Sequence, residues 1–515
     1  MNKTILSIDN GTQSIRAILF DLDGNLIAKS QVPLDAYFSD HPGWCEQHPH
    51  YFWDSLCRAT NKLWQLPGVE KESIQAVAVT TLRNTVVNLD ETGEPLRPAI
   101  IWTDQRKVNR IKPIQGLWKY LFKIAGVENT IQNFQASCQA AWIAENQPEI
   151  WDKTDKYLLM SGYLNFKLTG QYRDSLASQV GYIPFDYKNH QWAKDGDWKW
   201  QVAPIKPHML PDLVKPGATI GEINQAAANA TGIPLGLPVI AAGADKSSEV
   251  LGSGCISDNQ ACLSYGTTAT INVTSSKYIE PLRFIPPYPS NVQDAYTIEY
   301  QIYRGYWMVS WFKEQFGHLE QNLSEQMGVA AEQLFDQSIA GINPGSDGLM
   351  LQPYWSPGVK IPGPEARGAI IGFNDGHTRA HVYRAILEGI AYGLRDGKES
   401  IEKRTKHPIK ELLVSGGGSQ SNVAMQLTAD IFNLPATRPH TYETSALGAA
   451  INAAVGVGLF SDYTTAVTAM CHHGKTFYPN PENAALYQQL YQQGYKKMYK
   501  RLKPLYHSIK DITKL

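Results

Sequence analysis

The sequence predicts an α/β chain, on three observations. Short β-prone runs alternate with helical stretches along the whole length. A strand, tight turn, strand pattern near the N-terminus returns at mid-chain, and no low-complexity segment interrupts the alternation. The 515 residues predict two to four domains at about 150 residues each. Two domains would each bury about three quarters of their unfolded surface, enough for separate cores.

In chain order, residues 4–8 are apolar and β-prone, Asn10-Gly11-Thr12 breaks the run, residues 15–20 resume it, and Asp23-Gly24-Asn25 turns again. Residues 76–79 and 99–102 read as strands, and 146–168 as one helix from apolar spacing near 3.6. Residues 237–243 form a buried-strand run ending in Gly-Ala-Asp. Ser253-Gly254 and the following Ile256-Ser257-Asp258-Asn259 make a domain junction. Residues 261–264 are apolar, Gly266-Thr267 breaks them, and 269–273 resume. Gly11 and Gly266 lie half a chain apart, which suggests an internal duplication. Residues 378–403 predict a long amphipathic helix, 412–414 a strand ending in a glycine run, and 422–433 a helix. Tyr487, Tyr491, Tyr495 and Tyr499 recur every four residues beside a lysine-rich face, the pattern of a docked terminal helix with a solvated basic side.

Composition narrows the function. Lys plus Arg is 47 and Asp plus Glu is 48, so no global charge excess is available for a nucleic-acid backbone. No apolar run approaches 18 residues, so no membrane span is expected. The N-terminus lacks the long apolar stretch of a signal peptide. Six scattered cysteines without a Cys-x-x-Cys pair make a reducing cytoplasm the simplest compartment. His41, Cys45, His48 and His50, and Cys471-His472-His473, lack the paired spacing of a structural zinc site.

Five motifs can carry chemistry. In Asp9-Asn10-Gly11-Thr12-Gln13-Ser14-Ile15-Arg16, a glycine-tipped hairpin offers backbone N–H groups to phosphate oxygens. Thr12 and Ser14 add hydroxyls, Arg16 adds a fixed charge, and Asp9 could hold a hydrated Mg²⁺ between phosphates. By itself the motif is equally a structural hairpin. Tyr265-Gly266-Thr267-Thr268 offers the same donors on a second turn, so that two facing hairpins could clamp a triphosphate. Gly416-Gly417-Gly418-Ser419, at a strand-to-helix switch, permits close backbone approach to a flat ligand or a phosphate. No Gly-Lys-Ser/Thr follows it, so it is not a P-loop. Asp245, in Gly243-Ala244-Asp245-Lys246, ends a buried strand. It is placed either as a general base toward a ligand hydroxyl or as a helix N-cap. Arg83-Asn84 and Trp102-Thr103-Asp104-Gln105-Arg106 suit a hydroxyl-rich ligand or ordinary surface loops.

Taken together and in this order, these residues resemble the FGGY family of carbohydrate kinases, from about residue 4 to residue 490. Asp9–Arg16 is similar to the family's first phosphate motif, Tyr265–Thr268 to its second, and Gly417, Gly418, Ser419 and Asn422 to its adenosine motif. Gly43-Trp44 with Glu46-Gln47, and Glu443-Thr444 before Ala446-Leu447-Gly448-Ala449-Ala450, also resemble the family. Its second signature is kept in Gly368-x-Ile370-x-Gly372-Phe373, His381-Val382 and Ala385-Ile386-Leu387-Glu388. The first is partial, with Gln139 for the usual Lys before Trp142.

The resemblance implies two actin-like, ribonuclease-H-like domains, residues 1–250 and 251–515, with ATP in the cleft between them. It implies ATP and Mg²⁺ as cofactors, Asp245 as catalytic base, and Asp9 as the water-mediated metal residue. Gly11, Thr12, Gln13, Ser14, Arg16, Gly266, Thr267 and Thr268 would hold phosphates. Arg83, Asn84, Trp102, Asp104, Phe134, Asp245 and Lys246 would line the acceptor site. A homodimer is consistent with the family. Glycerol kinases of the family usually carry Arg-Glu at Arg83-Asn84, Tyr at Phe134, Gln at Lys246 and Phe at Thr270, so glycerol is disfavoured. Arg83 and Lys246 together predict a cationic pocket suited to an acidic or strongly oxygenated sugar. An actin- or chaperone-type ATPase module without a sugar acceptor is the alternative on the same fold.

Overall fold

A computed structural model describes residues 3–282, 285–358 and 362–513. Two mixed sheets organise the chain. The first contains β1 (Thr4–Asn10), β2 (Ser14–Asp21), β3 (Leu26–Pro33), β4 (Ile74–Thr81), β5 (Thr219–Glu222) and β6 (Pro238–Ala241), in the order β5-β6-β4-β1-β2-β3. The second contains β7 (Gln260–Tyr265), β8 (Ala269–Ser275), β9 (Tyr288–Pro289), β10 (Tyr296–Ile302), β11 (Glu411–Ser415), β12 (Ala436–Pro439) and β13 (His473–Phe477). Its order is β9-β10-β8-β7-β11-β12-β13.

The directions repeat. β1 pairs antiparallel with β2 and parallel with β4, and β4 is parallel to β6. Likewise β7 pairs antiparallel with β8 and parallel with β11, and β11 is parallel to β12. The half-chain spacing of Gly11 and Gly266 therefore reflects two sheets of one design.

Side-chain alternation assigns the two faces of the first sheet. Leu6 and Ile8 pack with Phe52 and Leu56 of α1 (Pro49–Leu63) in one core. Ile5, Ile18, Ala76, Ala78 and Ile240 form the other face. That face is covered by two helices distant in sequence, α2 (Asp245–Gly252) and a later helix, Thr444–Gly456. The second sheet has its own core against α3 (Trp307–Phe316), α4 (Arg379–Thr405) and α5 (Asn422–Phe432). The Thr444–Gly456 helix, hereafter α6, thus follows most of the second sheet in the chain and packs on the first.

α6 lies close because it presents small residues: Ala446, Ala449, Ala450 and Ala453 are fully buried, and Ser7 Oγ donates to the Ala446 carbonyl at 2.7 Å. Where α6 passes α2, a β-carbon on Gly252 would overlap the Thr444 carbonyl, and one on Gly448 the Ser248 carbonyl. Asn291 locks the crossing, its Nδ2 donating to Ser248 Oγ (2.9 Å) and Asn452 Oδ1 (2.8 Å).

Most expected elements are present with longer ends, but residues 146–168 are not one helix. A helix at Pro148–Lys153 gives way to a strand, Lys156–Leu159, before the helix Met160–Thr169. The Asp155 N–H donates to the Leu89 carbonyl and the segment pairs with Val86–Leu89, so sheet pairing overrides the helical period. Tyr487, Tyr491 and Tyr495 are buried in the second core, as expected of a docked terminal helix. No helix among the described residues is long and apolar enough to cross a membrane.

The α2–α6 crossing yields a stability prediction. Gly448→Val should lower the urea unfolding midpoint by the equivalent of about 2–3 kcal/mol. Gly341→Ala, where a β-carbon meets nothing within 4 Å, should leave it within about 0.5 kcal/mol.

Candidate active site

The β1–β2 register sets Asp9 directly opposite Arg16. Arg16 Nη1 donates to Asp9 Oδ2 at 3.1 Å and to Glu443 Oε2, at the N-cap of α6, at 3.1 Å. Lys29 Nζ of β3 reaches Glu443 Oε1 at 2.9 Å. Burial pushes the Asp9 carboxyl up to about 7. Arg16 opposes the shift, and Glu443, Asp245 and Glu249 add to it. At the hairpin tip, Gly11 N donates to the Ser14 carbonyl at 3.1 Å, and Thr12 and Gln13 are exposed. Behind the tip, the Asn10 side chain and Ser14 Oγ are buried with no hydrogen-bond partner in the protein.

The second turn sits at the end of β7. The Gly266 and Thr267 carbonyls accept from Tyr306 N and Trp307 N, and Thr268 Oγ1 donates to the Tyr303 carbonyl at 3.1 Å. These bonds fix the turn against the start of α3. The glycine run after β11 lies beside it. Gly416 has φ +83° and packs on the Tyr265 backbone, where a β-carbon would come within 3 Å, and one on Gly418 would overlap the Tyr306 ring. Ser419 is buried with its Oγ donating to the Gly416 carbonyl at 2.7 Å, and Asn422 Oδ1 accepts from Arg438 at 3.1 Å. Arg16, Lys246, Gly266, Gly416, Gly417 and Glu443 all line one cavity of about 280 Å³. Arg16, on the strand that follows the first turn, thus shares a cavity with the second turn and the glycine run, all far apart in sequence.

Asp245 opens α2, and its Oδ1 accepts from Lys246 N at 2.7 Å. Burial raises its carboxyl pKa, against the pull of Lys246 and Arg83. Lys246 Nζ bonds Glu249 Oε2 at 2.9 Å and Ser264 Oγ at 2.5 Å, while Glu249 also accepts from Ser415 Oγ at 2.6 Å. Arg83 donates from both terminal nitrogens to both oxygens of Glu299 on β10, each at 3.2 Å, with Tyr288 under the guanidinium at 5.1 Å. Arg83 and Lys246, the two cations expected in the pocket, each have a carboxylate partner.

Other expected residues lie in different settings. Trp102 Nε1 donates to Thr12 Oγ1 at 3.3 Å, tying its loop to the first turn. Asn84 has φ +52°, and its buried Oδ1 has no partner in the protein. Asp104 is 2% exposed at its side chain. Its oxygens receive Arg106 at 2.8 and 2.7 Å and Cys45 N at 2.6 Å. Arg106 in turn lies between Trp44 and Trp142 at 4.0 and 4.5 Å, so this Asp–Arg pair braces the loop. Phe134 packs its ring 5.7 Å from Tyr182. Sequence reading missed Glu249, Ser264, Ser415 and Glu299. Glu299 lies in the strand Tyr-Thr-Ile-Glu-Tyr-Gln-Ile, where a lone buried carboxylate is its one visible signal.

Comparison with known proteins matches this arrangement. Residues 4–252 match the N-terminal domain and residues 261–457 the C-terminal domain of the FGGY family of carbohydrate kinases. The chain belongs to that family. It is 31% identical over 489 residues to the uncharacterized sugar kinase YgcE of Escherichia coli K12, covering 95% of this chain and 92% of that protein. It is 29% identical to a xylulose kinase of Staphylococcus epidermidis, covering 95% of each chain. Among solved structures, xylulose kinase from Rhodospirillum rubrum superposes with a TM-score of 0.81 at 26% identity, over 98% of this chain and 100% of that one. Gluconate kinase from Lactobacillus acidophilus shares the fold, with a TM-score of 0.82 at 22% identity over 99% of this chain and 100% of that one. The fold is thus the two-domain actin-like one, and the chain is an ATP-dependent carbohydrate kinase acting on a small-molecule acceptor. The alternative of an ATPase module without a sugar acceptor falls away.

The shared cation predicts a coupled effect. Arg16→Met leaves Asp9 and Glu443 facing each other without their common partner. It should lower the urea midpoint by the equivalent of about 1–3 kcal/mol, with partial recovery in Arg16→Lys.

Proposed function

We propose that the enzyme transfers the γ-phosphate of ATP, with Mg²⁺, to a hydroxyl of a neutral, polyhydroxylated acceptor of the ketose class, and that Asp245 is the base. One observation carries this reading. The half-buried Asp245 adjoins Lys246, which lines the cavity shared by Arg16, the second turn and the glycine run, and the two cations near it are already paired with Glu299 and Glu249. A carboxylate-bearing acceptor finds no unmatched positive charge there. The S. epidermidis relative named xylulose kinase agrees with a ketose. Asn84 and Phe134, in place of a carboxylate and a phenol, disfavour glycerol.

In this reading the lobe built on the first sheet, mostly residues 1–250 with α6 packed on it, and the lobe built on the second sheet, from the rest of 251–515, close on the reactants and exclude water. Gly11, Thr12, Gln13 and Ser14 on one side, and Gly266, Thr267 and Thr268 on the other, present donors to the phosphates, with Arg16 adding charge. Gly417, Gly418, Ser419 and Asn422 form the adenosine side. Arg83, Asn84 and Trp102 orient the acceptor, and Phe134 walls it. Asp245 takes the acceptor hydroxyl proton as that oxygen attacks the γ-phosphorus and the bond to the bridging oxygen breaks, with ADP as the leaving group. Lys246 lies close enough to the Gly266 turn to act on the phosphate side as well.

Mg²⁺ suits the donor set. That ion keeps most of its waters and needs one or two carboxylates plus substrate phosphates. Asp9 is a buried carboxylate beside the orphaned Asn10 amide and Ser14 hydroxyl. When bound, the ion neutralises phosphate charge. Asp9 would orient its waters, which requires the ionised carboxylate. All six cysteines are free, in keeping with a cytoplasmic setting.

The test is ADP release measured over ketoses, polyols, aldonates and deoxy-sugars. A ketose should give the highest kcat/KM, and an aldonate outpacing every neutral sugar would overturn the reading. Asp245→Asn should reduce acceptor-dependent ADP release by about 10³-fold while ADP binding, measured by calorimetry, changes less than about threefold. For pH the sign is set by Asp9. Its carboxyl, raised to about 7, gains a proton on acidification. The kcat/KM for Mg·ATP should therefore fall about tenfold per pH unit below about 7 and level off above it. Asp9→Asn should be slow and lack this limb.

A further inference from the structure

The Arg83–Glu299 pair joins the two halves of the chain at the acceptor side of the cleft. Arg83 follows β4 of the first sheet, and Glu299 stands within β10 of the second. Both side chains are enclosed, 17% and 4% exposed, and Tyr288 covers one face of the guanidinium. Arg83 acts on Asp245 too, opposing, after Lys246, the rise that burial gives that carboxyl's pKa.

An unpaired guanidinium at this position would offer a two-pronged site to an acceptor carboxylate. Glu299 already fills both prongs. An anionic acceptor must either displace Glu299, leaving a buried carboxylate unpaired, or lie beside it as a second negative charge. A neutral acceptor faces neither cost and can use the guanidinium's remaining N–H donors, since arginine has five and two are engaged.

We propose that Glu299 is a specificity-determining residue: its carboxylate balances the charge of the Arg83 guanidinium and holds it oriented toward hydroxyls, and so excludes anionic sugars. This rests on the neutral-acceptor reading above.

Wild-type enzyme and Glu299→Gln are assayed with a pentulose and an aldonate. The variant should raise the aldonate-to-ketose ratio of kcat/KM by about tenfold or more, chiefly through a lower KM for the aldonate. Glu299→Asp, which keeps the charge, should retain the wild-type preference. Equal losses on both acceptors, or an unchanged ratio, would overturn the role of Glu299. A wild-type preference for the aldonate would instead overturn the neutral-acceptor reading itself. Should Glu299→Gln fail to fold, Arg83→Gln tests the same gate from the other side. With the cation gone and Glu299 present, aldonate turnover should fall at least tenfold more than ketose turnover, and equal falls would overturn the proposal.

Discussion

The close crossing of α2 and α6 is the constraint on which the cleft depends. Gly252 lies against the Thr444 carbonyl and Gly448 against that of Ser248, so the helices meet backbone to backbone. Any side chain there would push them apart. α2 carries Asp245, Lys246 and Glu249 in its first turns, and α6 begins next to Glu443. Their separation therefore sets the distances among carboxylates that all act on Asp9 of the first sheet. Asn291 belongs to the second half of the chain and bonds both helices, so the crossing is held from that side too.

Charge in the cleft is matched group by group. Arg16 serves Asp9 and Glu443, Lys29 serves Glu443, Lys246 serves Glu249, and Arg83 serves Glu299. One of these carboxylates, Glu443, stands at a helix start, where the backbone favours negative charge. Asp9 departs from the pattern because desolvation outweighs its single shared cation. The formal charge of −1 for the whole chain agrees with a protein that needs positive charge only locally.

Legibility followed the range of the interactions. The Asp9–Arg16 hairpin was readable because both residues sit on adjacent strands joined by a three-residue turn, and the register follows from that turn. The glycines of the second turn and of the 416–418 run were readable because close backbone approach demands them. The segment 146–168 misled because its apolar spacing is helical while its middle is captured by a strand at Val86–Leu89. Asp104 reads as an acceptor-site residue because the loop does not show that Trp44 and Trp142, distant in sequence, stack on its neighbour Arg106 and hold it on the carboxylate.

The sequence by itself determined the α/β class, the doubled design and the two glycine turns. Each is written in local patterns of turn residues and strand alternation, which act over a few residues. Tertiary structure alone decided which charges cancel. Arg83 and Glu299 are separated by more than two hundred residues, as are Arg16 and Glu443, and no local signal links either pair. A charge's effect depends on its neighbours in space and on the water excluded around it, and both are fixed only when the two sheets and the α2–α6 crossing come together.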